Sequence, residues 1–303
     1  MIKLQNNLPK TVIIGAGGYI GRHFLNTYRQ IYSDLIGTTR VELDLLNPDV
    51  RRLRLPENTY KEALILAAIP YVDRCELEQA LSWKVNVTGT IELIRQLTDE
   101  GIKPIFTSSD YVFGGNAGGY KDNSPLCPNT EYGRQKAEVE LRIGEITQGK
   151  YLILRFSKVY SHVKGDGSLI DAMASNFAQG RTVRAAYDQM FCPAYIDDVI
   201  EVAAFLQSSG ITGAVNLCPS KSISRYEIAR ALAEKMGIGD ALIEKISLDD
   251  LGLCVKRPKN TSMSNDRLTE LMSYAFTDLD NSLEIVGRLW AAEKKDVKNA
   301  IIC

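Results

Sequence analysis

Two hydrophobic rhythms alternate along the first two-thirds of the chain. Short runs of β-branched and apolar residues, such as Thr11–Ile14 and residues 63–68, are typical of strands buried on both faces of a parallel sheet. Between these runs, apolar residues recur at helical spacing. The pattern predicts strands at Thr11–Ile14, 35–39, 63–68, 104–109, 151–155 and 214–217, with helices at 20–31, 81–97 and Glu131–Ile146. We therefore expect an α/β fold, a doubly wound parallel sheet with helices on both faces.

The alternation of strands and helices becomes less regular after about residue 160. The pattern there predicts helices near residue 196, at 224–236 and at 283–292. We expect residues 1–160 to form the sheet domain, with later contributions from 187–218. Residues 161–303, mainly 219–303, are expected to form a smaller C-terminal substrate-binding portion over the carboxyl ends of the strands, where ligands bind in such folds.

Composition narrows the class of protein. The 303 residues carry a formal net charge of −1, so bulk charge favours neither nucleic acid nor a membrane surface. No apolar stretch approaches the ~20 residues that cross a bilayer, and the first ten residues lack the apolar core of a signal peptide. With two histidines, no metal site is expected. The cysteines form no C-x-x-C pair, which is typical of free thiols in a reducing cytoplasm: Cys75, Cys127, Cys192, Cys218, Cys254 and Cys303.

A glycine-rich turn follows the first predicted strand and precedes a helix. Gly15, Gly18 and Gly21 give the spacing G-x-x-G-x-x-G. Glycine permits the tight turn and lets the backbone approach a pyrophosphate, while the first N–H groups of the helix face that phosphate. A plain turn is the alternative, and the β-α-β context favours a dinucleotide. The sheet is therefore expected to be of the Rossmann type.

The end of the second strand selects between NAD and NADP in such folds. An acidic residue there binds the ribose hydroxyls, whereas this chain has Thr38, Thr39 and Arg40. A guanidinium suits a 2′-phosphate, which predicts NADP, with NAD as the alternative. A solvated surface arginine is the competing interpretation. Asp44 and Leu45 follow and are expected to border the adenine.

A serine, a tyrosine and a lysine form the candidate catalytic set. Ser109 ends the strand predicted at 104–109, and Tyr132 and Lys136 lie four residues apart on one face of the helix Glu131–Ile146. A free tyrosine has a pKa near ~10. A nearby ammonium is expected to lower that pKa toward the working range of an acid–base catalyst. Such Y-x-x-x-K pairs are common on helix surfaces, and the preceding serine and glycine turn favour catalysis.

Longer motifs carry a family resemblance. Residues 86–90 read NVTGT, residues 108–114 SSDYVFG, residues 128–136 PNTEYGRQK and residues 154–160 LRFSKVY. These motifs resemble those of the extended short-chain dehydrogenase/reductase family over nearly the whole chain, and within it the dTDP-4-dehydrorhamnose reductase-like group. The same resemblance extends to the loop 67–76 and to Asp188, Gln189, Pro193, Arg257 and Pro258.

The resemblance implies an NAD(P)-dependent oxidoreductase that reduces a nucleotide-diphosphate-linked 4-keto-6-deoxy sugar. Ser109, Tyr132 and Lys136 would be the catalytic residues. It implies a cofactor site that also contains Tyr19, Ile20, Ala67, Ala68 and Asn86. On the substrate side it implies Asp110, Tyr111, Val112, Lys158 and Arg257, the last holding the substrate diphosphate. Lys158 departs from the group, which usually has tryptophan there.

Other functions stay open from the sequence. A nucleotide-sugar 4-epimerase and a combined epimerase-reductase share the fold, although Arg40 and Asp110 respectively argue against them. A non-catalytic sugar-nucleotide- or NADP-binding regulatory subunit is a third alternative, disfavoured by the intact catalytic set. The helices 81–97 and Glu131–Ile146 resemble those of a four-helix interface, which predicts a homodimer. The fold does not fix the sugar or its base.

Overall fold

The computed structural model describes residues 7–300. Its strands are β1 (Thr11–Ile14), β2 (Gly37–Thr38), β3 (Glu62–Ile65), β4 (Lys103–Ser109), β5 (Leu152–Phe156), β6 (Val159–Tyr160), β7 (Val183–Ala186), β8 (Met190–Phe191), β9 (Ala194–Tyr195), β10 (Gly213–Asn216), β11 (Ile223–Ser224) and β12 (Ile243–Ile246). The expectations for the first six residues and for Cys303 lie outside the described residues.

A parallel sheet with strand order β10-β5-β4-β3-β1-β2 forms the centre of the molecule. Every strand in it follows the direction of its neighbours, as right-handed β-α-β crossovers require. The strand predicted at 214–217 joins the sheet as β10, beside β5. The predicted parallel sheet is confirmed.

Two strands end earlier than the apolar pattern predicts. β2 ends at Thr38, because the chain turns there and the Leu43 N–H bonds the Thr39 carbonyl. β3 ends at Ile65, after which the N–H groups of Leu66 and Ala67 both bond the Ile14 carbonyl. This shared acceptor directs residues 66–68 out of the ladder and over the end of β1.

The helices follow the predicted order. They are α1 (Tyr19–Tyr28), α2 (Val72–Leu77), α3 (Gln79–Trp83), α4 (Thr90–Asp99), α5 (Glu131–Ile146), α6 (Leu169–Ala178), α7 (Ile196–Ser208), α8 (Arg225–Lys235), α9 (Asp266–Leu271) and α10 (Leu279–Ala300). No helix among residues 7–300 is long and apolar enough to cross a membrane.

Residues 81–97 are helical throughout, as predicted, but they do not form a single regular α-helix. A π-helical segment, Lys84–Gly89, separates α3 from α4. The Thr90 hydroxyl donates to the Val85 carbonyl at 3.2 Å within this wider turn. Gly89 faces the Leu45 carbonyl oxygen, which would lie 1.7 Å from a Cβ at this position. The close approach of these two backbones therefore requires glycine, and single π-turns are frequent at functional sites.

Apolar side chains cover both faces of the sheet. On one face, Phe24 and Tyr28 of α1 pack with Val199 of α7. On the other, Ile94 of α4 packs with Val139 of α5. Because helices bury apolar stripes on both faces, the doubly wound architecture expected from the sequence is confirmed.

The C-terminal part has its own apolar cluster. It is formed mainly by α6, α8 and α10, and includes Phe177, Leu232 and Leu283. Small two-stranded pairings, β7 with β12 and β8 with β11, flank these helices. The division of the chain at residue 160 stays a prediction. Within the range 187–218, which was expected to contribute to the sheet domain, β10 joins the sheet and α7 packs against it.

Candidate active site

A cavity of about 660 Å³ opens at the carboxyl ends of the parallel strands, within the ~300–1,000 Å³ usual for ligand sites. Among the expected site residues, those that line it are Gly15, Gly18, Tyr19, Ile20, Gly21, Arg40, Asp44, Leu45, Ala67, Ala68, Ser109, Tyr132 and Lys136. The other expected residues lie outside this lining: Asn86, Asp110, Tyr111, Val112, Lys158 and Arg257. The structure thus brings the cofactor and catalytic sets together.

The glycine turn forms the near wall of the cavity. Gly15 has φ of 90°, and a Cβ there would lie 2.5 Å from the Ala67 nitrogen; at Gly21 a Cβ would lie 2.2 Å from the Gly15 carbonyl oxygen. The protein's own backbone therefore requires glycine at both positions, whether or not a ligand binds. At Gly18, the N-cap of α1, the nearest protein atom would be 3.4 Å away, and the backbone is exposed to the cavity. The turn therefore has room for a phosphate at the start of α1.

A buried hydroxyl beside this turn has no protein partner. Among the described residues, Ser108 Oγ makes no hydrogen bond although it is buried, and Ser108 lines the cavity. Buried polar groups in proteins are nearly always paired. A polar ligand in the cavity would satisfy this oxygen, so the lining fits a dinucleotide both in shape and in polar chemistry.

The rim at the end of β2 carries charges of both signs. The Arg40 side chain is 76% exposed, and its Nε donates to Asp44 Oδ2 at 3.1 Å. Glu42, which the sequence analysis did not consider, accepts from the Thr39 N–H at 2.7 Å and from the Thr39 hydroxyl at 2.6 Å. Leu45 is buried and provides an apolar wall. The guanidinium thus lies exposed at the cavity rim, with Asp44 as its partner.

Asn86 lies behind the cavity lining and holds it through hydrogen bonds to the backbone. Its side chain accepts from the Ile69 N–H at 2.8 Å and donates to the Ile69 carbonyl at 3.0 Å. The same amide nitrogen donates to Gln135 at 2.8 Å. Asn86 is 1% exposed and lies in the π-helical segment. It therefore ties the loop after β3, which lines the cavity, to α5.

α5 presents Tyr132 and Lys136 to the cavity from its first turns. Thr130 caps the helix by accepting from the Gly133 N–H at 3.1 Å. A Cβ at Gly133 would lie 2.2 Å from the Tyr111 carbonyl oxygen, so glycine lets α5 press against the segment after β4. Lys136 is 5% exposed, and its Nζ donates to the Thr107 carbonyl at 2.8 Å. The ammonium is thereby anchored to β4.

Burial, more than the neighbouring lysine, sets the electrostatics of the tyrosine. Burial raises the pKa of Tyr132 well above its ordinary value, with Asp110 acting in the same direction and a hydrogen bond to Ser109 opposing it. The expected lowering of this pKa by Lys136 is therefore not found. Burial also lowers the pKa of Lys136 to about 8, against the charges of Cys75 and Glu140.

The residues after Ser109 are buried behind the cavity. Asp110 accepts hydrogen bonds from Ser109, Ser157 and Thr261. The Tyr111 ring meets the Tyr132 ring edge-on, with 6.1 Å between the centroids. Val112, expected on the substrate side, is fully buried. Neither the Asp110 carboxylate nor the Val112 side chain reaches the cavity surface. Substrate contact by Asp110, Tyr111 and Val112 therefore stays a prediction.

Three cationic side chains converge near Tyr111. Lys158 Nζ lies 5.6 Å from the centroid of the Tyr111 ring. Arg257 pairs with Asp73 at 2.7 Å and is only 11% exposed. The sequence analysis missed Arg225, the first residue of α8, whose buried Nε has no hydrogen-bond partner within the described part of the chain. The charges of Arg225 and Arg257 both lower the pKa of Lys158, which confirms their proximity.

Sequence signals for the missed residues were weak. Pro70, Tyr71 and Ser157 line the cavity from loops that have no periodicity to read, and Arg74 lines it from the short helix α2. Arg225 follows Ser224, the N-cap of a capping box with Glu227, so its position at a helix start was readable. Its proximity to Tyr111 depends on how α8 packs, which the sequence does not encode locally.

Known proteins resemble the chain over most of its length. The model of the RmlD substrate binding domain family matches residues 9–286. The spore coat polysaccharide biosynthesis protein SpsK of Bacillus subtilis is 27% identical over 270 residues, 87% of this chain and 92% of that protein. A dTDP-4-dehydrorhamnose reductase of Mycobacterium tuberculosis is 27% identical over 78% of this chain and 79% of its own length.

A solved structure shows the same fold. The crystal structure of dTDP-4-dehydrorhamnose reductase from Bacillus anthracis in complex with NADP superposes with a TM-score of 0.82 at 22% identity. The match covers 91% of this chain and 97% of the other. Because the family model spans nearly the whole chain, the protein belongs to the RmlD substrate binding domain family, as its motifs predict.

Proposed function

We propose that this protein uses NADPH to reduce the 4-keto group of a nucleotide-diphosphate-linked 6-deoxy sugar. The observation that carries the proposal is the convergence of Ser109, Tyr132 and Lys136 on the cavity that also contains the glycine turn. Relatives named dTDP-4-dehydrorhamnose reductase support this reaction, as does a dTDP-4-keto-6-deoxy-D-glucose reductase of Streptomyces niveus, 23% identical. The structural neighbour that contains NADP supports the cofactor.

The chain supplies the proton and the binding geometry. Bound NADPH would supply the hydride to the sugar carbon. The raised pKa of Tyr132 keeps its phenol protonated at neutral pH, so it can donate a proton to the carbonyl oxygen. Lys136 lies within one helical turn of Tyr132, where an ammonium stabilises negative charge that develops on the oxygens nearby. Ser109 lines the same cavity, and its hydroxyl would hydrogen-bond the carbonyl oxygen of the substrate.

The cationic side chains around Tyr111 provide a place for the substrate diphosphate. Arg257 was expected to hold it, and Arg225 has an unpaired buried donor on the same side. Charge-assisted hydrogen bonds from guanidinium groups suit phosphate oxygens. Lys158 adds a third charge close to Asp110. We therefore propose that the diphosphate binds to Arg225 and Arg257, and that the sugar extends from there toward Tyr132.

The alternatives of an epimerase or a regulatory subunit are not favoured. The curated relatives include several proteins named as reductases or a ketoreductase. The set of Ser109, Tyr132 and Lys136 is complete and faces the cavity. An intact catalytic set favours an enzyme over a non-catalytic subunit. The described cysteines are free thiols, which fits a protein of the reducing cytoplasm.

The decisive experiment is a reduction assay. Purified protein is mixed with NADPH and a panel of nucleotide-linked 4-keto-6-deoxy sugars, and NADPH oxidation is followed by absorbance. Tyr132→Phe removes one oxygen and should lower turnover by ~10²–10⁴-fold while NADPH still binds. Tyr151→Phe, at the residue just before β5 and outside the cavity lining, is the matched control and should keep full activity. Turnover by Tyr132→Phe at the unmodified rate would exclude the proposed chemistry.

A further inference from the structure

A loop of the C-terminal part reaches the glycine turn. The Tyr19 hydroxyl, at the start of α1, donates to Asp166 Oδ2 at 3.1 Å across 147 residues of sequence. Asp166 belongs to residues 161–168, the loop between β6 and α6, which we call the strap. Tyr19 lines the cavity, whereas the strap residues lie outside the lining. The strap therefore holds a side chain of the cavity wall from outside.

Tyr19 is held at its ring and at its hydroxyl. The ring meets the His23 ring edge-on, with 5.4 Å between the centroids. Burial and the Asp166 carboxylate both raise the pKa of Tyr19, so the phenol stays protonated at neutral pH and is the donor in this pair. A hydrogen bond from a hydroxyl to a carboxylate is charge-assisted and stronger than one between neutral groups. The contact with Asp166 therefore fixes the direction of the side chain.

Hydrogen bonds within the strap orient Asp166. Its Oδ2 also accepts from the Ser161 hydroxyl at 2.5 Å, and its Oδ1 accepts from the Ser168 N–H at 2.7 Å. Ser168 is the N-cap of α6. The carboxylate is thus held by both ends of the strap, and Tyr19 is the partner that it takes from the sheet domain.

A second carboxylate fastens the strap to the helices of the C-terminal part. Asp171, in the first turn of α6, accepts from the Gly165 and Gly167 N–H groups at 2.8 and 3.0 Å. It also accepts from the indole N–H of Trp290, on α10, at 3.1 Å. Gly165 and Gly167 have φ of 79° and 76°, a backbone conformation that favours glycine. The strap is therefore built on α6 and α10, and Asp166 carries their position to the glycine turn.

We propose that Asp166 is a positioning residue for the cofactor: it holds the Tyr19 side chain in the cavity wall and thereby helps the protein to retain NADPH. Tyr19 follows Gly18, at which the turn has room for a phosphate. A side chain that is ordered before the ligand arrives loses less freedom on binding, so a preorganised wall raises affinity. The inference rests on the cofactor half of the proposed function and not on the sugar that is reduced.

The first test removes only the hydroxyl. Tyr19→Phe keeps the ring and its contact with His23, and it changes no charge. We expect the dissociation constant of NADPH, measured by calorimetric titration, to rise about 3- to 10-fold, as for one side chain that is no longer ordered in advance. KM for NADPH should rise by a similar factor, while kcat and the affinity for dTDP change little. An unchanged affinity for NADPH would overturn the inference.

Tyr32→Phe is the matched control. Tyr32 lies beyond the end of α1 and outside the cavity lining, is half-buried like Tyr19, and donates its hydroxyl to the Leu8 carbonyl at 2.8 Å. Its loss should leave the affinity for NADPH unchanged. Thermal unfolding of both variants reports any general loss of stability. Equal weakening of NADPH binding in the two variants would contradict the positioning role.

A double-mutant cycle tests whether the strap acts through Tyr19. Asp166→Ala removes the acceptor and also a negative charge that would repel a phosphate, so its own effect combines two causes. The cycle compares Tyr19→Phe in the two backgrounds, in which the change of charge cancels. Tyr19→Phe should weaken NADPH binding no further when Asp166 is already alanine. Losses that multiply would overturn the inference.

The outcomes separate this inference from the proposed reaction. A protein that binds NADPH but reduces no sugar of the panel would contradict the reaction, and the results for Tyr19→Phe would still decide the role of the strap. A protein that binds no NADPH would overturn both. If Asp166→Ala does not fold, Tyr19→Phe and Tyr32→Phe decide the inference without it.

Discussion

Lys136 Nζ lies 6.0 Å from the centroid of the Tyr132 ring, yet its hydrogen bond goes to the carbonyl oxygen of Thr107. The lysine is therefore held by β4 and influences the tyrosine only through its charge. Burial outweighs that influence and leaves the phenol protonated. A protonated phenol is the form that a reductase requires of its proton donor.

The charge of Lys136 predicts an alkaline limit to activity. Burial lowers the pKa of Lys136 to about 8, so the ammonium is present below that pH and is lost as the pH rises through it. We expect kcat/KM, which reports the free enzyme, to be level below pH about 8 and to fall toward tenfold per unit above it. Steady-state rates across a pH series measure this.

Lys136→Arg provides the control for that profile. A guanidinium stays charged across the whole range, so the alkaline decline should disappear even if the overall rate is lower. A decline with the same midpoint in Lys136→Arg would show that another group titrates, and the role of the Lys136 charge would have to be abandoned.

Arg40 predicts the choice of cofactor. Its guanidinium lies at the cavity rim and is 76% exposed, with Asp44 as partner. Binding of a 2′-phosphate would replace that exposed pair, so Arg40→Ala should weaken NADPH about tenfold, the size of a charge-assisted hydrogen bond, and leave NADH unchanged. Calorimetric titration of both cofactors measures the ratio.

An arginine elsewhere on the surface controls for a loss of net charge. Arg51 is 84% exposed, pairs with Asp49 and lies outside the cavity lining. Arg51→Ala should leave both affinities unchanged. The prediction of NADP would be lost if the unmodified protein bound NADH at least as tightly, and Glu42, an acid held at the same rim by Thr39, would then be the residue to study.

We propose that the protein forms a homodimer through the helical stretch 81–97, which spans α3 and α4, and through α5. Trp83 on α3 is 38% exposed and Leu141 on α5 is 69% exposed, so both helices carry apolar surface that a second subunit would bury. Leu141→Glu should convert the dimer to a monomer in light scattering at tens of micromolar. Leu253→Glu, at a 42%-exposed leucine on another part of the surface, should not. A monomeric unmodified protein would refute the proposal.

The fold was readable from the sequence because its signals are local. Runs such as Thr11–Ile14 are apolar on both faces, as strands buried in a parallel sheet are, and the glycines at 15, 18 and 21 mark the turn after it. The catalytic set was readable for the same reason, since Tyr132 and Lys136 lie one helical turn apart. The π-helical break at Lys84–Gly89 was not, because it depends on a contact with Leu45 that lies far away in the chain.

The substrate side was the least readable part. Its residues come from loops, and their roles are decided by which segments meet. Thr261 bonds Asp110 across 151 residues of sequence, and no periodicity connects them. The pKa of Tyr132 was predicted in the wrong direction, because spacing reveals the nearby ammonium but not the burial that outweighs it.

Arg225 predicts a specific loss of substrate affinity. Its buried Nε has no hydrogen-bond partner among residues 7–300, and an unpaired buried donor is costly unless a ligand satisfies it. Burial also lowers the pKa of Arg225, and the charge of Tyr111 acts in the opposite direction. Arg225→Gln should therefore raise KM for the nucleotide sugar about 10-fold or more and change kcat little.

Binding of a nucleoside diphosphate isolates this effect from catalysis. Calorimetric titration with dTDP should show the same loss of affinity in Arg225→Gln, because the lost contact is to the diphosphate and not to the sugar. Arg230→Gln, on the exposed side of the same helix, removes an equal charge and should leave dTDP binding and KM unchanged. If Arg225→Gln bound dTDP as tightly as the unmodified protein, the unpaired guanidinium would not be the diphosphate site, and Arg257 alone would have to hold it.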